Sequence, residues 1–198
     1  MNRSTAEPHA PQSKDTLIGF LSLSFLSATI LFVLVWSEVL TLQQLFSFRQ
    51  PAQLLGYTLA GSVGLLLLGI LFAFLVPDRQ IDEGNKAYTK MTVPYIIGFM
   101  MLAGIFEEML FRGIVQNVLL KFTGSEWAAI ILASVLFIVF HVQYFKKPLM
   151  LATITIPGLL FGWIYFAADN LLVPIIVHVV MNIGITLLYK YNLLKSLR

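Results

Sequence analysis

Residues 92–120 read TVPYIIGFMMLAGIFEEMLFRGIVQNVLL, a run long enough to cross a lipid bilayer as one helix. Only three of its residues carry a charge: Glu107, Glu108 and Arg112. A charged side chain at the centre of a bilayer costs roughly 2.5 to 3.5 kcal/mol even on a lenient insertion scale. The stretch therefore predicts either a structural ion pair or a functional site inside a membrane helix.

Further apolar runs lie on both sides of this stretch. They cover residues 17–36, 54–76, 125–145, 149–168 and 172–189. The chain of 198 residues is 58% hydrophobic and only 12% charged, whereas soluble domains are nearer half apolar and a quarter charged. A helix of about 20 apolar residues crosses a hydrocarbon core about 30 Å thick. The sequence predicts an all-α, polytopic bundle of about six transmembrane helices, and thus an integral multi-pass membrane protein.

The basic residues lie mostly on one side of this predicted bundle. Six spans place both termini on that side, with ten Lys and Arg residues: Arg3, Lys14, Arg79, Lys86, Lys90, Lys146, Lys147, Lys190, Lys195 and Arg198. The opposite loops hold only Arg49 and Lys121. Because cytoplasmic loops carry an excess of basic residues, both termini are predicted to be cytoplasmic. The net charge of +3 thus reflects topology, and no nucleic-acid partner is expected.

The chain divides at its most polar internal stretch, residues 77–90. We predict a disordered cytoplasmic tail at 1–16, a two-span region at 17–91, a four-span catalytic core at 92–190 and a second cytoplasmic tail at 191–198. The first apolar run is expected to be a retained anchor, because it is longer than the core of a signal peptide. The spacing of Val39, Leu42, Leu45 and Phe46 predicts a short amphipathic helix at the outer interface.

Three predicted spans each carry a pair of residues four positions apart, and such residues share a helix face. The pairs are Glu108 with Arg112, Phe137 with His141, and His178 with Asn182. Glu107 is rotated by about 100° from Glu108 and is therefore not the natural partner of the arginine. Taken singly, an ion pair can be structural, and a lone histidine or asparagine can join helices. Together with an unpaired glutamate, these residues predict a functional site.

The residue types present restrict the chemistry of that site. The chain has no cysteine, which excludes thiol nucleophiles and Cys-based metal sites. GSVG at 61–64 is not the G-x-S-G of rhomboid-type serine proteases, and neither GxGD nor the zincin pattern H-E-x-x-H occurs. What remains is a glutamate to act as general base toward water, histidines to share protons and an amide to hold an oxyanion. These groups suffice to hydrolyse a peptide bond without a covalent intermediate.

The order of the motifs resembles that of the CPBP family of intramembrane proteases, which are related to the CAAX prenyl endopeptidase and are also called the Abi family. The residues that carry the resemblance are EEMLFR at 107–112, FIVFH at 137–141 and HVVMN at 178–182. The resemblance covers roughly residues 92–190, half of the chain. The resemblance implies an endopeptidase in a bacterial cell membrane, with its active site open to the cytoplasm and with a membrane-associated peptide or protein as substrate.

The resemblance also implies a role for each motif residue. Glu107 is expected to be the general base, and to activate water together with His141. His178 and Asn182 are expected to stabilise the tetrahedral oxyanion. Arg112 is expected to support the site through Glu108. No cofactor is expected on this interpretation.

Three alternatives remain open at this stage. Glu107, His141 and His178 could instead be the ligands of a catalytic zinc ion, with Asn182 next to them. The chain could also be a non-catalytic immunity factor or scaffold. The third alternative is an ion-coupled transporter, because such proteins also contain buried carboxylates.

The catalytic interpretation needs an irregular third span, because straight helices would leave Glu107 too deep in the membrane to meet His141. Pro94, Gly98 and Gly104 predict that this irregularity lies within residues 92–104.

Overall fold

The computed structural model describes residues 13–81 and 83–194, and within them the chain is almost entirely helical. The α-helices are α1 (Ser13–Trp36), α2 (Leu42–Leu45), α3 (Pro51–Leu75), α4 (Glu83–Thr89), α5 (Val93–Glu108), α6 (Asn117–Thr123), α7 (Glu126–Val139), α8 (Pro148–Ala168) and α9 (Leu172–Lys190). A π-helix, Met109–Gln116, joins α5 to α6 without a break. The predicted all-α polytopic bundle is confirmed. Most of the two predicted tails lies outside the described residues, and α1 begins at Ser13, inside the predicted first tail.

Within residues 13–81 and 83–194, five helical segments are long and apolar enough to cross a membrane, where the sequence predicts about six. The fourth predicted span, residues 125–145, contains instead the 14-residue helix α7. At about 1.5 Å per residue α7 is about 21 Å long, shorter than a hydrocarbon core of about 30 Å. At its end, Nδ1 of His141 forms a hydrogen bond with the carbonyl of Phe137 at 2.8 Å. The backbone N–H of His141 donates to the carbonyl of Ile138. A side chain that captures a backbone carbonyl competes with the next helical turn.

Helix α9 lies at the centre of the bundle and packs on α3, α5 and α8. Gly104 allows α5 to approach α9 closely, because a Cβ there would lie 2.9 Å from a methyl group of Val179. Helix α1 packs on α5 and on the π-helix, whereas α7 packs on α8 and on the π-helix. The π-helix therefore packs between α1 and α7, and four of its residues are buried: Phe111, Arg112, Gly113 and Gln116.

The segment predicted as a short amphipathic helix contains the four-residue helix α2 and is held against the protein. Only Leu42–Leu45 is helical, and Leu45 is 1% exposed while Leu42 remains 64% exposed. The chain after α2 pairs with the turn between α8 and α9, through Ser47 N–H to Asp169 O at 3.0 Å and Leu171 N–H to Leu45 O at 2.8 Å. These backbone bonds fix the segment on the end of the bundle that carries the α8–α9 turn.

Candidate active site

The irregular part of the third span is the π-helix that follows the two glutamates. The prediction that it lies within residues 92–104 is wrong, since α5 is regular from Val93 to Glu108. The side-chain amide of Asn117 donates to the carbonyls of Gly113 at 2.8 Å and Arg112 at 3.1 Å. These bonds satisfy carbonyl oxygens in the widened turns. Short π-helical insertions occur frequently at functional sites.

Glu108 and Arg112 form the buried ion pair that their spacing predicts. Arg112 Nη1 donates to Glu108 Oε1 at 3.0 Å, and the two side chains are 1% and 0% exposed. The same carboxylate oxygen accepts Nδ1–H of His178 from α9 at 2.8 Å. Glu108 is thus committed to two donors inside the protein, and it joins α5 to α9.

Arg112 is enclosed by aromatic rings and by the backbone of α8. Its Nη2 donates to the carbonyl of Gly158 at 2.7 Å. Its guanidinium carbon lies 5.2 Å from the ring centre of Phe137 and 5.4 Å from that of Phe161, within range of cation–π attraction. Phe161 also stacks on the imidazole of His178, with ring centres 4.5 Å apart. The arginine therefore fixes α7 and α8 around the same ion pair.

Glu107 has a different environment from its neighbour. Its side chain is 17% exposed, and its Oε2 lies 3.7 Å from Nε2 of His178. This distance exceeds that of a hydrogen bond. The carboxylate of Glu107 is therefore near His178 but not hydrogen-bonded to it. This agrees with the sequence analysis, in which Glu107 has no natural partner on its own helix.

Four of the six predicted site residues line one cavity of about 480 Å³: Glu107, His141, His178 and Asn182. The rest of the wall is largely apolar and extends to the ends of α3, α8 and α9, where Val76, Met150 and Tyr189 contribute. The short α7 explains how His141 reaches this cavity, since a helix of full length would have carried it to the membrane surface. The structure thus brings all six predicted site residues together, four on the cavity and two behind it.

In both histidines Nδ1 faces an oxygen atom of the protein, which leaves Nε2 for the cavity. Nδ1 of His178 faces the carboxylate of Glu108, and Nδ1 of His141 faces the carbonyl of Phe137 at 2.8 Å. Each of these oxygens accepts hydrogen bonds, so each Nδ1 must carry a proton. Nε2 is then the nitrogen that each ring has available for substrate or water.

The zinc alternative needs three ligands in close contact. Within residues 13–81 and 83–194, no group of three His, Asp or Glu side chains approaches closely enough to hold a metal ion. The ring nitrogens and the carboxylate around the cavity are thus not arranged as a three-residue ligand set in the described structure.

Sequence reasoning missed a second row of buried polar residues beyond Arg112. Gln116 is 0% exposed and donates to the carbonyl of Gly162 at 2.9 Å. Asn117 donates to the hydroxyl of Tyr165 at 2.7 Å, and this hydroxyl donates to the carbonyl of Gln44 at 3.0 Å. The signal was available, because Gln116 lies one further four-residue step along the face that carries Glu108 and Arg112.

Comparison with known proteins supports the family resemblance. Residues 89–184 match the family model described as type II CAAX prenyl endopeptidase Rce1-like, which confirms the predicted resemblance.

Two curated bacterial proteins are similar to this chain. One is the "Uncharacterized protein YpbD" of Bacillus subtilis (strain 168), 31% identical over 109 residues, which cover 54% of this chain and 53% of that protein. The other is an "Uncharacterized 24.3 kDa protein" of Escherichia coli, 31% identical over 121 residues, which cover 59% of this chain and 54% of that protein. The chain spans about half the length of each. No solved structure matches it significantly.

Proposed function

We propose, from the match of residues 89–184 to the Rce1-like family, that this integral membrane protein is a glutamate-type intramembrane endopeptidase. It hydrolyses a peptide bond of a membrane-associated peptide or protein. The observation that carries the proposal is the unequal environment of the two adjacent glutamates. Oε1 of Glu108 accepts from both Arg112 and His178 and the residue is fully buried, whereas Glu107 faces a cavity that it shares with two histidines and an asparagine.

In this mechanism Glu107 is the general base. It takes a proton from a water molecule that His141 helps to orient through Nε2, and the oxygen of that water attacks the carbonyl carbon of the scissile bond. The carbonyl π bond opens, and its electron pair forms the oxyanion of a tetrahedral intermediate. When the C–N bond breaks, Glu107 returns the proton to the leaving nitrogen, and the products are a carboxylic acid and an amine.

His178 and Asn182 supply the donors for the oxyanion. Nδ1–H of His178 is donated to Glu108, and when Nε2 also carries a proton it donates to the oxyanion. A donor held where the negative charge develops stabilises the oxyanion. The 3.7 Å between Nε2 and Glu107 leaves both groups available to a substrate placed between them.

We place this activity in a bacterial cell membrane, with the short helix α7 counted as the fourth of six crossings, so that both termini and the mouth of the cavity lie on the cytoplasmic side. The excess of basic residues in the connecting loops supports this orientation. The cavity wall includes the ends of α3 and α9, which lie on the side that carries those residues. Its apolar wall suits a substrate segment that resides in or on the bilayer, and no metal or organic cofactor takes part.

The test is mass spectrometry of membrane-associated peptides from cells that carry wild type, Glu107→Gln or Glu126→Gln. Glu126 is an exposed glutamate at the start of α7, so it provides a matched control for the loss of one carboxylate. We expect a cleavage product with wild type and with Glu126→Gln, and none with Glu107→Gln. The same product with Glu107→Gln would exclude the base. A biological effect that persists in Glu107→Gln cells would favour a scaffold or immunity protein, because binding needs no base.

A further inference from the structure

The π-helix and α8 face each other through a repeated contact. Arg112 and Gln116 are four residues apart on one side, and Gly158 and Gly162 are four apart on the other. Each long side chain donates to the glycine carbonyl opposite, at 2.7 Å for Arg112 and 2.9 Å for Gln116. The carbonyls of the two glycines thus accept hydrogen bonds from the long side chains of the π-helix.

Gln116 is placed at a cost to the fold. It is 0% exposed, and its Oε1 has no hydrogen-bond partner among the described residues. A Cβ on Gly162 would lie 2.8 Å from this oxygen, so the site leaves little room for the amide. A buried polar atom without a partner destabilises a protein, and a methionine of similar shape would avoid that penalty. The amide therefore needs a reason other than stability.

We infer that Gln116 is a positioning residue for the active site. By holding the end of the π-helix on α8, it keeps Arg112 within reach of both Gly158 and Glu108. Glu108 in turn fixes the tautomer and the ring orientation of His178. Gln116 does not line the cavity, and it acts only through this chain of contacts. The expected effect of Gln116 on turnover rests on the proposed function, whereas its expected effect on the orientation of His178 does not.

The effect on His178 can be measured without a substrate. In protein labelled with ¹⁵N-histidine and held in lipid nanodiscs, Nδ1–H of His178 donates to a carboxylate and gives a downfield proton signal in slow exchange with water. The chain has three histidines, so His178→Gln and His141→Gln assign the signals. We expect Gln116→Met to broaden or remove the His178 signal. The midpoint of thermal unfolding of this variant should equal or exceed that of wild type. Gln53→Met, which changes an exposed glutamine of α3, should alter neither.

Turnover provides a second measurement, on the peptide that wild type produces and Glu107→Gln does not. Misplacement of a catalytic group by about 1 Å lowers rates by roughly 100-fold, so we expect kcat of Gln116→Met to fall by about 10- to 100-fold at nearly constant KM. If no such peptide exists, the proposed function fails while the His178 signal still tests the inference. A Gln116→Met protein with the wild-type signal and wild-type kcat would overturn it. Should that variant not fold, Gly162→Ala carries the test, because its Cβ must displace the same amide, and a wild-type His178 signal in Gly162→Ala would equally overturn it.

Discussion

Replacement of Glu108 by glutamine should destabilise the protein far more than the same replacement at Glu107. Glu108 is 0% exposed, and its Oε1 accepts from Arg112 at 3.0 Å and from His178 at 2.8 Å. A neutral amide leaves the guanidinium buried without a counter-ion. Breaking a buried ion pair by removing one partner costs about 3 to 5 kcal/mol.

Glu107 offers a nearly ideal comparison for this change. It is 17% exposed, and its closest described charged partner, Nε2 of His178, lies beyond hydrogen-bond distance at 3.7 Å. Its replacement by glutamine removes no hydrogen bond from the described structure, so we expect a cost of about 1 kcal/mol or less. The two variants therefore separate stability from catalysis, since Glu107→Gln should be folded and inactive.

The assay is thermal unfolding of both variants and of wild type in the same detergent, monitored by near-ultraviolet circular dichroism. For a chain of this length 1 kcal/mol shifts the midpoint by about 2 to 4 °C, so Glu108→Gln should unfold roughly 6 to 20 °C below wild type. Glu107→Gln should remain within about 4 °C of wild type on the same scale. Equal midpoints for the two variants would refute the assignment of Glu108 as the structural carboxylate.

Three further outcomes follow from the contacts described. Tyr165→Phe removes the hydroxyl that joins Asn117 to the carbonyl of Gln44, and it should cost about 1 kcal/mol in unfolding free energy while turnover is kept. Lys190→Met removes the ammonium group that binds the backbone carbonyls of Thr89 and Met91, so amide hydrogen exchange should accelerate in α4 and spare α8. Incubation with a zinc chelator, followed by dialysis, should leave turnover unchanged; loss on chelation and recovery with zinc would restore the metal alternative.

Much of the fold could be predicted because the bilayer limits the choices of the chain. Apolar runs such as 54–76 must form helices in a membrane, where every backbone polar group has to be satisfied internally. The fourth span was overestimated because apolar residues continue from Phe140 to Phe145 beyond the end of α7. The composition shows that most of these residues are apolar. It does not show that the side chain of His141 forms a hydrogen bond with the carbonyl of Phe137 where the helix ends.

The site was predictable to the extent that it depends on spacing along one helix. The Glu108–Arg112 contact follows directly from a separation of four residues. The contact of Glu108 with His178 joins two helices whose relative height and rotation only packing determines, and it did not follow from the sequence. The π-helix likewise depends on acceptors and donors from other parts of the fold, including the amide of Asn117. Local propensity contains no record of such partners.

The short helix α7 has a consequence for the surrounding lipid. A 14-residue helix beside full-length neighbours presents to the acyl chains a hydrophobic height about 9 Å below the usual core, and the bilayer adapts by thinning at that face. Such elastic deformation has a free-energy cost that depends on acyl-chain length. We therefore expect lipids with shorter chains to match the reduced hydrophobic height beside α7, and lipids with longer chains to disfavour the arrangement in which His141 and Glu107 line the same cavity.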